Sequence, residues 1–404
     1  MKSFHTYLLA GLFYLLFIFI QKPNSYAQDY HVDFYNAPFT FSLDSTFLIN
    51  ISTEVNEKQV IEFYHKIESV HDKLIIDSLL AYKKKYKLND WIYYQLIRQT
   101  AQKISPKQDN YSRYTLYKWY LMCKSGYDAR LGLRDNQIIF YIKSNDDISD
   151  LPFFHLNSDN YICLNYHDYK LIFNYQETYQ IVDVKIPEAK NSFSYKVTRL
   201  PDFKPDNYID KDIGFKYNGK GYHFKLKVNT EVNDIFANYP IVDYETYFNI
   251  PLSQETYESI IPFLKRYTAK MPIKKGVDYL MQFTRYAFLY EDDREIHGME
   301  KRFAPEQTLI NDMSDCDDRA ALFFYLIKEI YDLPMIALRY PTHVTLAVQF
   351  EKPIGQSILY NGNYYTLCEP TPQSTKLGIG ELSLTHQQQK YEVVYHYEPT
   401  LIKK

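Results

Sequence analysis

The spacing of apolar positions changes along this chain, and each change marks a different kind of element. In residues 28–50 the pattern alternates, as in Tyr30-His31-Val32-Asp33-Phe34-Tyr35 and Phe39-Thr40-Phe41-Ser42-Leu43. Period two predicts extended backbone with one buried face. Beyond Asn56 the period lengthens. Val60, Ile61, Tyr64, Ile67 and Val70 fall on one side of a helix. Further helices are predicted over 73–86 and through Trp91-Ile92-Tyr93-Tyr94-Gln95-Leu96-Ile97, and residues 111–133 read as another apolar helix and a turn. The run Gln137-Ile138-Ile139-Phe140-Tyr141-Ile142 reads as a buried strand.

Between about 150 and 250 short β-type runs alternate with turn residues. Examples are Tyr161-Ile162-Cys163-Leu164, Tyr179-Gln180-Ile181-Val182 and Tyr222-His223-Phe224-Lys225-Leu226. Asn218-Gly219 is a hairpin signal, because both residues tolerate the positive φ that a two-residue turn needs. This stretch predicts an all-β, sandwich-like middle domain. After Pro251 the helical period returns over 255–269, 276–289 and 314–331, and strands follow to the end. The reading is an α+β chain with boundaries at 1–27, 28–149, 150–250 and 251–404. The first and last of the three large parts echo each other. Gln95-x-x-Arg98 resembles Gln282-x-x-Arg285, and Lys124-Ser125-Gly126-Tyr127-Asp128 resembles Lys328-Glu329-Ile330-Tyr331-Asp332. Aligning the second pair predicts a degenerate internal copy, with Ser112 opposite Cys316.

The N-terminus changes the picture of where the protein works. Lys2 and His5 precede the apolar run from Leu8 to Ile20, and Ser25-Tyr26-Ala27 supplies small residues at cleavage spacing. The run is short for a spanning helix, which needs about 20 apolar residues. It predicts a signal peptide over 1–27 and export to the periplasm or cell exterior, with no stable membrane insertion after cleavage; an uncleaved anchor is the alternative. A net charge of −3 gives no reason to expect nucleic acid as a partner. Among 404 residues, 42 are tyrosine, so a single aromatic pair says little about ligands. Four cysteines, Cys123, Cys163, Cys316 and Cys368, allow three full disulfide pairings, and spacing does not choose among them.

One of these cysteines sits in an unusual place. Met313-Ser314-Asp315-Cys316-Asp317-Asp318-Arg319-Ala320 opens the most apolar helix of the chain. Ser314 is the expected N-cap and Asp317 its capping-box partner, which places Cys316 in the first turn. There the helix dipole favours a thiolate, whereas three aspartates oppose it. Arg319 is expected to pair with an acid. His343 begins a clean strand in Tyr340-Pro341-Thr342-His343-Val344, and could take the thiol proton. After an Asn361-Gly362 turn, the next strand ends in Cys368-Glu369-Pro370-Thr371, where Glu369 could hold the imidazole. The Cys316 backbone N–H with Gln307 or Asn311 could form an oxyanion hole.

These three pieces, in this order, resemble the transglutaminase-like superfamily, a branch of papain-like cysteine enzymes, over roughly residues 270–380. The resemblance implies a nucleophile helix packed on an antiparallel sheet, with Cys316 as nucleophile, His343 as base and Glu369 as orienting acid. The family usually carries Asp before Pro-Thr. Glu369 is longer by about one bond, roughly 1.5 Å. The resemblance implies action on a peptide or protein amide, by hydrolysis or by acyl transfer to an amine, without cofactor or metal. A binding or assembly protein that keeps the fold without catalysis is the second reading. A zinc site built from Cys316, His343, Cys368 and Glu369 is the third; it lacks the paired-thiolate spacing of structural zinc sites. A Cys316–Cys368 disulfide would silence the thiol, but strand alternation points Cys368 away from Glu369.

Overall fold

The computed structural model describes residues 28–399 except 71, 170–172, 174–177, 291–300 and 375. The predicted leader, 1–27, lies outside the described residues. Among them no helix is long and apolar enough to cross a membrane.

The fold is mixed α+β. Strands β1 (Gln28–Val32) and β2 (Phe39–Leu43) pair antiparallel, as their alternation predicts. Four helices follow: α1 (Glu57–Glu68), α2 (Lys73–Tyr86), α3 (Asp90–Ile104) and α4 (Tyr111–Lys124). Asn56, Asn89 and Asn110 cap the first, third and fourth by accepting from a backbone N–H in the first turn. Strands β3 (Ala129–Arg134), β4 (Gln137–Lys143), β5 (Phe153–Leu156), β6 (Asp159–Cys163) and β7 (Gln180–Ile181) build one antiparallel sheet in the order β5-β6-β4-β3-β7.

Next comes a long hairpin, β8 (Tyr208–Tyr217) and β9 (Lys220–Asn229), turning at Asn218 and Gly219, both with positive φ. Short helices α5 (Glu231–Phe236) and α6 (Tyr244–Phe248) lead to α7 (Gln254–Thr268) and α8 (Ile273–Tyr286). After β10 (Leu289–Tyr290), α9 (Pro305–Ile310) and β11 (Met313–Ser314) comes the central helix α10 (Cys316–Tyr331). Strands β12 (Met335–Tyr340), β13 (His343–Val348), β14 (Ser357–Tyr360) and β15 (Asn363–Cys368), the short helix α11 (Leu384–Gln387) and strand β16 (Glu392–Tyr397) complete the chain. The second sheet runs β14-β15-β13-β12-β16.

Residues 150–250 therefore do not form an all-β sandwich. Strands β5, β6 and β7 complete the first sheet, and the β8–β9 hairpin packs on α7 and α8 of the last part. Alternation reports that a strand has one buried face, but not which strand it pairs with. One contiguous apolar core joins the two ends of the chain, from Val32 to Ile379.

The two five-stranded sheets have the same topology. Each follows a capped helix, and each places its first strand between the second and fifth, and its fourth beside the second. Register aligns them residue by residue. Gln137 faces Arg134 across the first turn as His343 faces Tyr340 across the second. Tyr141 then matches Ala347, and their partners on the adjoining strand are Cys163 and Leu367. Two residues further along, Asn165 matches Glu369. The helix caps Asn110 and Asp315 match in turn. They place Tyr111, not Ser112, opposite Cys316: matching Tyr127 to Tyr331 pairs a residue three beyond the end of α4 with the last residue of α10, and that alignment slips by one residue at the N-termini.

Candidate active site

Helix α10 starts one residue later than its sequence suggests. Ser314 is still extended, bridged to Tyr290, so the N-cap falls on Asp315. The Asp315 carboxylate accepts from the Asp318 N–H at 3.2 Å, and Asp318 accepts from the Asp315 N–H at 3.3 Å. Two aspartates thus make the capping box, and Asp317 is freed from that role. Its Oδ2 instead accepts from Arg302 Nε at 3.1 Å and from the Tyr244 hydroxyl at 3.4 Å. Arg302 lies 4.2 Å over the Tyr244 ring. Arg319 also departs from expectation. Its guanidinium donates to the carbonyls of Ser314, Thr284, Arg285, Phe288 and Leu289, and among the described residues it forms no salt bridge. It clamps the end of α8 and strand β10 to the foot of α10.

Cys316 is the first helical residue and is partly buried. Its thiol donates to Asp317 Oδ1 at 3.5 Å. Burial pushes its pKa well above the usual thiol range, and the Asp317 and Asp315 charges push it further. The Val344 backbone N–H opposes this by favouring the thiolate. The sequence left the sum of these effects open; in this structure it favours the thiol over the thiolate.

His343 opens β13 and is 7 % exposed; Glu369, just past β15, is 0 % exposed. His343 Nε2 and Glu369 Oε2 lie 2.7 Å apart. Glu369 Oε1 accepts from the Thr371 N–H at 2.8 Å. Burial would lower the His343 pKa, but the adjacent Glu369 charge and hydrogen bond, with Asp317 and Asp315 behind, hold it above its usual 6.5. Burial would likewise raise Glu369. The His343 charge and hydrogen bond, the Thr371 N–H and Arg285 hold it below its usual 4.5. Arg285 is itself buried, and donates to the Glu369 carbonyl from Nε at 3.2 Å and also from Nη2. The acid is thus fixed in charge and in position. With Nε2 engaged, Nδ1 is the ring nitrogen left for proton exchange.

The structure brings His343 and Glu369 together and sets Cys316 beside Val344, the residue after His343. It gives the oxyanion candidates other tasks. Gln307 caps α9 at Ala304 and donates to Asn233, and Asn311 donates to the Gln307 carbonyl. All four cysteines are free, and Cys368 is buried on the core side of its strand.

No local sequence signal pointed to His386. Its ring stacks on His343, with centroids 4.5 Å apart and planes 4° from parallel, and its Nδ1 lies 2.9 Å from Ser383 Oγ. Nitrogen and oxygen atoms of His343, Glu369 and His386 come within 4.8 Å of one another, as metal ligands do. The ring geometry argues against an ion there. Imidazole lone pairs lie in the ring plane, and two stacked, parallel planes cannot both contain one metal.

At the matching positions in the first half, Tyr111 replaces Cys316, Gln137 replaces His343 and Asn165 replaces Glu369. Asn165 donates to the Tyr111 hydroxyl at 2.8 Å, and Tyr111 donates to Asp168 at 2.7 Å. Gln137 accepts from Tyr179 at 3.0 Å. Tyr111, Gln137 and Asn165 are themselves uncharged, and the carboxylate that Tyr111 reaches, Asp168, is paired with Lys107. No family model matches this chain, and no curated protein or solved structure matches it either.

Proposed function

We propose that this protein is an exported cysteine enzyme acting on amide bonds of peptides or proteins, through Cys316, His343 and Glu369 in the manner of transglutaminase-like enzymes. The observation that carries the reading is the buried His343–Glu369 pair, held by Arg285 and Thr371 and presented beside a thiol at a helix N-terminus. A buried ion pair of this kind costs desolvation and is weak evidence for stability alone. Its position next to a nucleophile gives it a use.

In the proposed reaction Cys316 Sγ bonds to the substrate carbonyl carbon. The thiol proton passes to His343 and from there to the departing amine, leaving a thioester. Water or a second amine then attacks the thioester; His343 takes the incoming proton and returns it to Sγ, giving an acid or a new amide. The free N–H of Cys316 at the first helical position is available to the oxyanion. Because the Glu369 charge and hydrogen bond hold the His343 pKa above its usual 6.5, turnover should rise with pH as the site loses one proton, a step shared between thiol and imidazole.

A second reading, a binding or assembly protein on the same fold, has one observation in its favour: Asp315 and Asp317 hold the thiol protonated. Mass spectrometry of a denatured protein substrate, incubated with wild type or Cys316→Ser in the presence of a primary amine, separates the two. New termini or amine adducts from the wild type alone support the enzyme. Identical spectra from both refute it.

A further inference from the structure

A cavity of about 270 Å³ lies between the two halves of the molecule. One wall comes from the first half, with Trp91, Leu164 and Tyr195; the other from the second, with Tyr239 and Arg302; Asp150 stands between them. Nothing in the proposed chemistry uses it. Three features mark it as built for a ligand. Tyr195 is 0 % exposed, and its hydroxyl has no hydrogen-bond partner. An orphan hydroxyl in a protein interior costs free energy that a ligand can recover. Asp150 accepts from the Ile241 N–H at 2.8 Å with Oδ1, and no side chain among the described residues donates to its carboxylate. Arg302 spends Nε on Asp317 and Nη1 on the Val242 carbonyl, and among the described residues its Nη2 has no acceptor. Asp150 and Arg302 face the same space, yet no salt bridge joins them among the described residues.

We propose that this cavity binds a free α-amino acid with an aromatic or large apolar side chain. Its ammonium meets Asp150, its carboxylate meets Arg302, and its side chain lies against Trp91, Leu164 and Tyr239, with the Tyr195 hydroxyl taking a remaining polar atom. Lys301 also lines the cavity, so a lone cation would be repelled by it and by Arg302, whereas a lone anion would leave the Asp150 carboxylate without a counter-charge; a zwitterion satisfies both signs. Size agrees, since the volume falls just under the ~300–1,000 Å³ of small-molecule sites. The site does not depend on the amidase reading. It does touch it: the Arg302 guanidinium that would receive the ligand also holds Asp317, whose other oxygen accepts from the Cys316 thiol.

Isothermal titration of the whole protein tests this with four probes: L-phenylalanine, phenethylamine, 3-phenylpropanoate and N-acetylglucosamine. Phenylalanine is expected to bind, and each probe lacking one charge at least about tenfold more weakly. Asp150→Asn, which keeps an acceptor for Ile241, should weaken phenylalanine about tenfold and leave 3-phenylpropanoate unchanged or tighter. Tyr195→Phe, which removes only the unpartnered hydroxyl, should weaken phenylalanine severalfold. No heat with about 10 mM phenylalanine, equal binding of the singly charged probes, or binding of the sugar in its place would overturn the proposal.

Discussion

The two halves of this molecule put the same helix and the same five strands to different uses. In the second half, the helix start and the two adjoining strands present a thiol, an imidazole and a carboxylate. In the first half, the matching places hold Tyr111, Gln137 and Asn165; Asn165 donates to Tyr111, and Gln137 accepts from Tyr179. The scaffold is shared, so chemistry is decided by a few positions at the mouth of each helix. The helices show the same contrast. Counted from its cap, Lys118 in α4 takes the place of Phe323 in α10, and both are buried. A lysine inside the first half lies 4.5 Å from the Tyr114 ring centroid, and burial pushes its pKa down to about 7. The first half tolerates a buried charge where the second packs an aromatic ring.

The largest expected difference is in turnover. On one amide substrate, Cys316→Ala or His343→Ala should lower kcat/KM by about 10³-fold or more, and Glu369→Gln by about 10²-fold or more. Tyr111→Phe and Gln137→Ala should stay within about twofold. Comparable losses from the two halves would erase the distinction between them.

Stability against pH is expected to separate the halves next. His343 has a raised pKa, so its contribution is present below 6.5 and is lost as pH rises through the folded value. Glu369 has a lowered pKa, so its contribution is present above 4.5 and is lost as pH falls through the folded value. The coupling between them should be largest between those limits. A double-mutant cycle on His343 and Glu369, measured by urea unfolding, should give about 1–3 kcal/mol within that window and less at pH 9. The same cycle on Tyr111 and Asn165 should not change between the two, because neither group carries charge at either pH.

The smallest effect is expected at Lys118. Its folded pKa lies below that of the unfolded chain, so it destabilises at neutral and lower pH, and less as pH rises from about 7. Lys118→Met should raise the urea midpoint by the equivalent of about 1 kcal/mol at pH 6, and by less at pH 10. A loss of stability at pH 6 would mean that the lysine holds its surroundings together.

Local elements were legible in the sequence because their signals are local. The Asn218-Gly219 and Asn361-Gly362 turns and the apolar periods lie within a few residues of what they specify. Cys316, His343 and Glu369 stood out for the same reason: each sits at an element end with a visible boundary. Sheet membership was not legible. The runs around Tyr161 and Tyr179 read as strands of a separate domain, yet their partners lie in β4 and β3. The N-cap moved from Ser314 to Asp315 because a bridge to Tyr290 holds Ser314 extended, a contact made 24 residues away in sequence. His386 and the Asp150–Arg302 pair belong to the site region only through folding. The Gln-x-x-Arg echo did carry information, since Arg285 proved to be the clamp on Glu369.

If the second half holds a working thiol–imidazole pair, the reactivity of Cys316 must depend on His343. The most direct test is the rate of Cys316 alkylation by iodoacetamide against pH, in wild type and His343→Ala, with labelling located by peptide mapping. Because burial and two aspartates hold the thiol protonated, the imidazolium must supply what thiolate there is. The account predicts that His343→Ala slows labelling at neutral pH by about tenfold or more and moves the profile to higher pH. Superimposable profiles for the two proteins would contradict it.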